Sequence, residues 1–181
     1  GTDDGQIQVS NNGGISWNNL TKNIIGLPDG AWIPQIHASR FEKGTAWIVA
    51  NNYRKGDYAS YLFMTNDYGR TWKNILDANQ VKGYALSFIQ DPMEKQLVFL
   101  GTENGLWVSI NEGKDWVPFK NGFPCIQVLG LGVNKFGIVG NPGEIDIIRR
   151  KIPASGIIVF CFKLRQQVMH HIGEPVVFQL F

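Results

Sequence analysis

Three segments of the chain share one spaced pattern, and this repeat constrains the fold more than any other feature. Each segment begins with a hydroxyl residue, has Asp or Asn two residues later, Gly two residues after that, and Trp three residues further on. The segments are residues 10–17, 65–72 and 109–116. Their starts lie 55 and 44 residues apart, the spacing of a repeat that folds as one supersecondary unit. The sequence therefore predicts an array of similar units.

The pattern has the chemistry of a tight hairpin turn. The Asp or Asn side chain can bond to backbone N–H groups further along the turn, the hydroxyl can close the loop, and Gly supplies a positive φ. The Trp begins the returning strand and is expected to insert its ring into the sheet core. The residues in these roles are Ser10, Asn12, Gly14 and Trp17, then Thr65, Asp67, Gly69 and Trp72, then Ser109, Asn111, Gly113 and Trp116. We interpret all of them as structural.

Short apolar segments around these turns predict strands. Residues 46–50 and 97–100 are apolar and bounded by turn signals, as buried strands are, and they are flanked by alternating segments at 36–41 and 84–90. No segment of useful length has a helical period. Each unit therefore reads as four strands joined by turns, in which Trp47 and Trp107 belong to the core. The predicted fold class is all-β, with about three to four β-propeller blades, which are too few to close a ring.

The spaced pattern resembles the Asp box, or BNR repeat, with the form S/T-x-D/N-x-G-x-S/T-W. Residues 65–72 match at every position, whereas the third copy has Asp115 where Ser or Thr is usual, which puts the last hydrogen bond of that turn in question. Asp-box propellers include sialidases, xyloglucanase-type glycoside hydrolases and the ten-bladed domain of sortilin-type (VPS10) receptors. Over residues 1–124 the chain looks most like large bacterial sortilin-like BNR-repeat proteins that carry a glycosyl-hydrolase label. This resemblance implies an extracytoplasmic (periplasmic, cell-surface or secreted) protein.

The resemblance divides the chain into three parts. Residues 1–124 read as consecutive blades, 125–150 as a degenerate closing blade, and 151–181 as a divergent tail or the start of a following segment. The chain opens with Gly-Thr-Asp-Asp-Gly and not with a signal peptide, which reads as the middle of a longer polypeptide. We therefore expect a fragment of a propeller whose unpaired strand edges favour self-association.

Two carboxylates are candidates for glycoside hydrolysis, which needs a pair roughly 5 to 9.5 Å apart. Asp3 and Glu103 each follow a Gly-Thr pair at equivalent places in two repeats. In xyloglucanase-type enzymes a catalytic Asp lies in a comparable Thr-Asp-x-Gly context. Carboxylates beside Gly in a turn also serve local hydrogen bonding, and the arginine cluster and Tyr–Glu pair of sialidases are not assembled here. We therefore favour a non-catalytic chain, with a glycoside hydrolase as the alternative.

A binding role rests on aromatic residues outside the repeat turns. Residues 51–60 form a polar loop, and a loop mounted on rigid strands is where ligand contacts tend to lie. Aromatic rings with nearby amides suit a peptide or a glycan, although an ordinary interblade loop would have the same composition. The candidate ligand contacts are Tyr53, Arg54 and Tyr58 in that loop, and Trp32 and Tyr84 are further aromatic residues outside the repeat turns. The favoured function is a binding or interaction scaffold, whose partners are a protein, peptide or glycan ligand or the remaining blades of the same propeller.

Composition excludes several other classes of function. The net charge of +2 is too small to indicate a nucleic-acid or anionic-membrane partner, and no apolar run approaches the roughly 20 residues that span a bilayer. Cys125 and Cys161 fit neither a disulfide framework nor a zinc site; two buried thiols are expected, with a single bridge as the alternative. His37 is expected to face solvent from a strand, and the adjacent pair at 170–171 would face opposite ways. We therefore expect no metal and no cofactor.

Overall fold

The computed structural model describes residues 1–120, 125–134, 137–140, 145–150 and 159–164, with side-chain surroundings for 1–120 and 125–132. Apart from two short 3₁₀ turns, Thr21–Asn23 and Tyr53–Lys55, the regular structure of these residues is all strand. The strands are β1 (Gln8–Val9), β2 (Asn18–Asn19), β3 (Trp32–Ala38), β4 (Ala46–Asn52), β5 (Asp57–Thr65), β6 (Lys73–Asn74), β7 (Ala85–Gln90), β8 (Val98–Thr102), β9 (Gly105–Ser109), β10 (Val117–Pro118), β11 (Leu131–Asn134), β12 (Gly137–Gly140), β13 (Ile145–Arg150) and β14 (Val159–Leu164). The all-β prediction is confirmed.

The strands form four separate antiparallel sheets, which we call blades 1 to 4 in chain order. Blade 1 contains β1 and β2, blade 2 contains β3 to β6, blade 3 contains β7 to β10, and blade 4 contains β11 to β14. Within each sheet, strands adjacent in sequence are hydrogen-bonded neighbours, so every blade is a simple meander. The sequence predicted a boundary after residue 150, between the closing blade and the tail. Strand β13 ends at Arg150 and pairs with β14, so this boundary falls inside blade 4. The rest of the expected tail, from residue 165, lies outside the described residues.

Side-chain alternation along the inner strands builds the cores between the blades. In β4, Trp47 and Val49 pack in the core between blades 2 and 3, whereas Ile48 and Ala50 pack in the core between blades 1 and 2. Strand β8 is divided in the same way between its two neighbouring blades. Both faces of these strands are therefore covered, which explains why their sequences are continuous apolar runs. Trp47 and Trp107 lie in the core as predicted.

His37 on β3 is covered by the neighbouring blade, contrary to the sequence prediction. Its ring lies between Trp47 and Phe88, with centroid distances of 6.0 and 5.7 Å, and its Nε2 accepts a hydrogen bond from the backbone N–H of Gln90 at 3.4 Å. Burial, with a contribution from Arg40, holds the pKa of His37 below its ordinary value of 6.5. The prediction that His37 faces solvent was wrong because its side of β3 meets Phe88 of blade 3, whereas Ile36 and Ala38 on the other side of the strand are exposed.

Each repeat turn is closed by the same pair of side-chain networks. In residues 65–72, Thr65 Oγ1 accepts from the backbone N–H of Gly69 at 3.0 Å, and Asp67 Oδ1 accepts from that of Thr71 at 2.9 Å. The other two turns repeat both bonds at 2.7 to 2.9 Å. The Gly in each turn has a φ of 83° to 91°, a conformation that Gly adopts without steric cost.

The third turn keeps its last hydrogen bond by exchanging donor and acceptor. In the second turn the Thr71 hydroxyl donates to Asp67 Oδ2 at 2.6 Å. In the third turn Asn111 Nδ2 donates to Asp115 Oδ2 at 2.7 Å. An amide carries its own donor and a carboxylate only accepts, so the pair remains matched although Asp115 departs from the repeat pattern.

The three Trp residues of the repeat turns differ in burial. Trp116 is 5% exposed and lies in the core between blades 2 and 3, and Trp72 packs against the core between blades 1 and 2. Trp17 is 59% exposed. The prediction that all three rings insert into a core was therefore wrong for Trp17.

The difference arises because each repeat turn packs against the preceding blade. A Cβ placed on Gly69 would lie 2.6 Å from Leu20 of blade 1, and one on Gly113 would lie 2.8 Å from Ile75 of blade 2. Around Gly14, the same construction meets only the ring of Trp17. No described blade precedes blade 1, so more than half of Trp17 is left uncovered by the described residues.

Candidate functional site

Two kinds of connection meet at one end of the blades. In an antiparallel meander the turn between the second and third strands lies at the same end as the linker to the next blade, and the repeat turns lie at the opposite end. Lys55 Nζ donates to the carbonyl of Asp29 at 2.7 Å, and the backbone N–H of Glu103 donates to the carbonyl of Tyr84 at 3.2 Å. We call this end, formed by residues 2–5, 25–32, 52–58, 75–84 and 102–105, the linker face.

Four aromatic rings and one guanidinium group assemble on the linker face. Tyr53 and Tyr84 stack nearly parallel with centroids 4.7 Å apart, Trp32 meets Tyr53 edge-on at 6.4 Å, and Tyr58 tilts toward Tyr84 at 6.2 Å. The guanidinium of Arg54 lies 4.9 Å from the Trp32 ring centroid and 5.9 Å from that of Tyr53, within the range of cation–π attraction. We call these five residues the aromatic platform.

Local structure holds the loop of the platform in place. The 3₁₀ turn Tyr53–Lys55 ends at Gly56, whose φ of 79° is left-handed. At the base of the loop, buried Asn51 donates through Nδ2 to the carbonyl of Ala85 at 3.0 Å, which ties β4 to the next blade. On the far side of the loop, the Tyr61 hydroxyl donates to Asp57 Oδ2 at 2.9 Å. These anchors place the loop residues on a rigid support.

Exposure and charge divide the platform into a floor and a contact surface. Tyr84 is buried, and its hydroxyl oxygen accepts from Gln127 Nε2 at 3.0 Å. Burial, followed by the negative charge of Glu103, raises its pKa. Tyr58 and Arg54 are exposed, and among residues 1–120 and 125–132 no carboxylate forms an ion pair with Arg54. The platform therefore presents a flat ring and an unpaired cation.

The two candidate carboxylates lie on the linker face but in different blades. Asp3 is exposed in blade 1, in a turn where the backbone N–H of Gln6 donates to Thr2 Oγ1 at 2.9 Å. Glu103 is in the equivalent turn of blade 3, where a Cβ on Gly83 would lie 2.8 Å from its side chain. The turn of blade 2 lies between the two blades, and no hydrogen bond joins the carboxylates in the described part of the chain. Only Glu103 adjoins the platform.

The platform includes residues that the sequence alone did not select. Tyr53, Arg54 and Tyr58 were proposed as ligand contacts, and the structure brings them together with Trp32 and Tyr84, which were noted only as aromatic residues outside the repeat turns. Gln127 and Glu103 complete the surroundings of Tyr84. No sequence signal marks Gln127, because its role depends on a contact across 43 residues.

Among the described residues, neither a cysteine nor a cluster of metal ligands adds to this site. Cys125 is exposed, not buried as expected, because it lies in a loop after blade 3, where its thiol donates to the carbonyl of Asn104 at 3.3 Å. The side chain of Cys161 lies outside the described surroundings. In the described residues no three His, Cys, Asp or Glu side chains cluster as metal ligands do. No helix in the same residues has the length and apolar character to cross a membrane.

Solved structures share this arrangement of blades. The chain is similar to YCF48 bound to D1 peptide, with a TM-score of 0.56 and 14% identity, over 88% of this chain and 49% of that one. It is also similar to the GH74 enzyme of Niastella koreensis, with a TM-score of 0.59 and 16% identity, and to the GH74 xyloglucanase of Xanthomonas campestris, with a TM-score of 0.57 and 13% identity. The fold is a β-propeller. At these identities the likeness concerns the propeller fold alone.

The propeller described here is shorter than its structural neighbours. The alignments with the two GH74 enzymes include 91% and 96% of this chain but only 26% of each enzyme. The alignment with YCF48 includes about half of that protein. No family model and no curated protein matches the chain. The incomplete ring predicted from the repeat count agrees with these proportions.

Proposed function

We propose that the chain is part of a non-catalytic, extracytoplasmic binding scaffold, a sortilin-like BNR-repeat propeller whose ligand is a peptide. The observation that carries the proposal is the aromatic platform, in which Tyr58 and Arg54 are exposed beside a stacked pair of rings. Stacked rings give a contact surface with little conformational entropy to lose. The guanidinium of Arg54 can bind a carboxylate with two hydrogen bonds.

A peptide suits this surface better than a glycan does. A peptide can offer both an apolar or aromatic side chain for Tyr58 and a carboxylate for Arg54, whereas a neutral glycan offers Arg54 only uncharged oxygen acceptors, which bind a cation more weakly than a carboxylate does. The propeller YCF48, which has been solved with a bound peptide, supports the proposal by showing that this fold can take such a ligand. The remaining blades of the same propeller are the second expected partner, and they would pack at the ends of the array.

The experiment selects peptides from a displayed random library on the immobilised chain and measures the affinity of the best binders by isothermal titration calorimetry. Arg54→Ala and Tyr58→Ala test the platform. Tyr68→Ala is the matched control, because Tyr68 is 64% exposed and Tyr58 is 59% exposed, and Tyr68 lies in a repeat turn at the opposite end of its blade. A peptide held on the platform should lose roughly tenfold or more in affinity with each platform variant and retain it with the control.

Two outcomes would contradict the proposal. Peptides whose affinity is unchanged by both platform variants bind somewhere else. A neutral glycan array that gives stronger, platform-dependent binding than any selected peptide would replace the peptide with a glycan as the ligand.

A glycoside hydrolase fragment is the second candidate, because Asp3 and Glu103 occupy equivalent turns on the same face of the array. Hydrolysis of xyloglucan oligosaccharides by the chain, lost in Asp3→Asn or Glu103→Gln with an unchanged melting temperature, would support it. The placement of the two carboxylates in blades 1 and 3 argues against a catalytic pair. Unaltered hydrolysis in both variants would remove these residues from consideration.

The proposed location rests on the resemblance of the repeat turns to those of exported BNR-repeat proteins. Fractionating cells that express the complete gene and probing each fraction with an antibody against the chain tests it. Recovery in the cytoplasmic fraction alone would overturn this part of the proposal.

A further inference from the structure

The four rings of the aromatic platform form an open row and not a compact cluster. Trp32 meets Tyr53 at a centroid distance of 6.4 Å, and Tyr53 stacks on Tyr84 at 4.7 Å. Tyr58 follows, 6.2 Å from Tyr84. Among residues 1–120 and 125–132, no ring contact joins members of this series that are not neighbours in it. A row that offers its rings one after another suits an elongated ligand.

The polar groups that the rings of the platform leave uncommitted are hydrogen-bond donors. The hydroxyl of Tyr84 is engaged by Gln127. Within the part of the chain whose side chains are described, the indole N–H of Trp32 and the hydroxyl groups of Tyr53 and Tyr58 form no hydrogen bond. An indole N–H only donates, and a phenol hydroxyl can donate, so the row presents three groups that can donate to a ligand.

The backbone beside the rings has its acceptors engaged. Five carbonyls on or next to the linker face each accept a hydrogen bond from the chain itself, namely those of Asp29, Tyr53, Gly83, Tyr84 and Ala85. The carboxylate of Asp57 is also engaged, because its two oxygens accept from the Tyr61 hydroxyl at 2.9 Å and from the backbone N–H of Ala59 at 3.1 Å. A ligand on the platform therefore meets donors, and its own N–H groups find few partners.

The sheet edge that begins beside the platform is capped as well. Strand β7 follows Tyr84 directly and is the edge strand of blade 3. The backbone N–H groups of Phe88 and Gln90 on this strand donate to Gln35 Oε1 at 2.8 Å and to His37 Nε2 at 3.4 Å. Strand addition needs an edge with free backbone groups, so these side chains disfavour a ligand that binds here as a β-strand.

A proline-rich peptide has the matching chemistry. Each proline keeps its carbonyl and lacks the backbone N–H, so the peptide brings acceptors and almost no donors. Its polyproline II helix is extended, has no internal hydrogen bonds and leaves its carbonyls free. Such helices dock on aromatic side chains and lose little conformational entropy in doing so. Glycan hydroxyls and ordinary peptide backbones, in contrast, bring donors that would compete for engaged acceptors.

Charge distinguishes the two ends of the row. The guanidinium of Arg54 lies 4.9 Å from the Trp32 centroid and 5.9 Å from that of Tyr53, and it has no carboxylate partner in the described side chains. Toward the other end, Glu103 lies close enough to Tyr84 for its negative charge to raise the pKa of that hydroxyl. An acidic residue in the ligand is therefore attracted to one end of the row and repelled from the other.

We propose that the ligand of the platform is a proline-rich segment in the polyproline II conformation, with an acidic residue that pairs with Arg54. This inference rests on the proposed peptide-binding function and names the class of peptide. The pyrrolidine rings pack on the aromatic rings, and the free donors of Trp32, Tyr53 and Tyr58 bind carbonyls of the helix. The pairing with Arg54 fixes the direction in which the segment runs along the row.

The test compares two fluorescein-labelled peptides of about ten residues, a length that spans roughly 30 Å as a polyproline II helix. One has proline at every position except a central glutamate, and the other has alanine in place of each proline. Fluorescence anisotropy measures the affinity of each for the chain. We expect the proline peptide to bind roughly tenfold or more tightly than the alanine peptide, because it is pre-organised and brings no unpaired N–H groups.

Variants of the chain test the individual contacts. Glutamine in place of the central glutamate should weaken binding several-fold, and it should have no further effect on a chain with Arg54→Ala. Tyr58→Phe keeps the ring and removes the donor, so it should also weaken binding several-fold. Tyr68→Phe is the matched control, because Tyr68 has a similar exposure and lies at the opposite end of its blade.

The outcomes separate this inference from the proposed function. Equal binding of the proline and alanine peptides overturns the inference, and so does unchanged binding of the proline peptide to both Arg54→Ala and Tyr58→Phe. If the proline peptide does not bind while peptides selected from the random library bind through Arg54 and Tyr58, the peptide-binding function stands and the peptide class is wrong. If no selected peptide depends on those two residues, the proposed function fails and the inference fails with it.

Discussion

The repeat-turn tryptophans give a quantitative test of how the blades support one another. A Trp side chain buries up to about 250 Å². At about 25 cal/mol per Å², Trp116, which is 5% exposed, gains up to about 6 kcal/mol of stabilisation, and Trp17, which is 59% exposed, gains up to about 2.5 kcal/mol. A compact denatured state lowers both values by roughly 10–40%. The buried indole N–H of Trp116 has no hydrogen-bond partner among the described residues, which removes about 1 kcal/mol or more from its contribution.

We therefore expect Trp116→Ala to lower the free energy of unfolding by about 3–5 kcal/mol and Trp17→Ala by about 1–2 kcal/mol. Trp72→Ala should fall between them, because Trp72 is half-buried and its indole N–H donates to the carbonyl of Gly69 at 3.0 Å. Urea denaturation followed by far-ultraviolet circular dichroism measures all three without relying on Trp emission. The m-values should be similar, so that midpoints report stability.

The reasoning fails if Trp17→Ala costs as much as Trp116→Ala, because the difference between them rests only on the blade that precedes each turn. It also fails if Trp116→Ala leaves the unfolding curve unchanged. In that case the repeat turns would be held by their hydrogen bonds alone.

Three further predictions concern pH and association. Hydrogen bonds from the Thr71 hydroxyl and backbone N–H lower the pKa of Asp67 from 3.8 to about 2. The contribution of the Asp67 carboxylate to folding stability is therefore complete above about pH 4 and is lost as pH falls through about 2. Asp67→Asn should remove this acid sensitivity in urea titrations. The pKa of His37 is lowered by burial, so stability should decrease as pH falls below about 6.5, and a chain with His37→Gln that shows the same decrease would exclude His37 as the cause. The free edge of β1 and the exposed Trp17 should make the chain self-associate, and a monomer in concentrated size-exclusion runs would contradict this.

The sequence predicted those features that depend on short-range chemistry. The repeat turns close within eight residues, so Thr65, Asp67 and Gly69 could be assigned from spacing alone. The apolar runs in β4 and β8 likewise indicated strands buried on both faces. In the repeat turns the interacting residues lie close together in the chain. In β4 and β8 the apolar residue types of the segment by themselves indicate that the strand is buried.

The features that sequence missed depend on what lies in the neighbouring blade. Trp17 fits the same pattern as Trp116, and only the absence of a described blade before it leaves it exposed. His37 alternates like a surface residue, yet Phe88, 51 residues further along the chain, helps to bury it. The stacking of Tyr53 on Tyr84 joins two blades in the same way, so the loop composition suggested contacts without giving their arrangement.

The donor–acceptor exchange in the repeat turns also restricts how such turns can diverge. Asp67 with Thr71 and Asn111 with Asp115 are both matched pairs, but Asp at both positions would bring two carboxylates together with no proton between them. Asn with a hydroxyl residue is matched as well, and the first turn has that combination, with Asn12 Nδ2 donating to Ser16 Oγ at 2.9 Å. A lineage can therefore pass from the Asp–Thr form to the Asn–Asp form by way of Asn–Ser or Asn–Thr without a mispaired ancestor. The three turns of this one chain hold the three pairings that such a path would pass through.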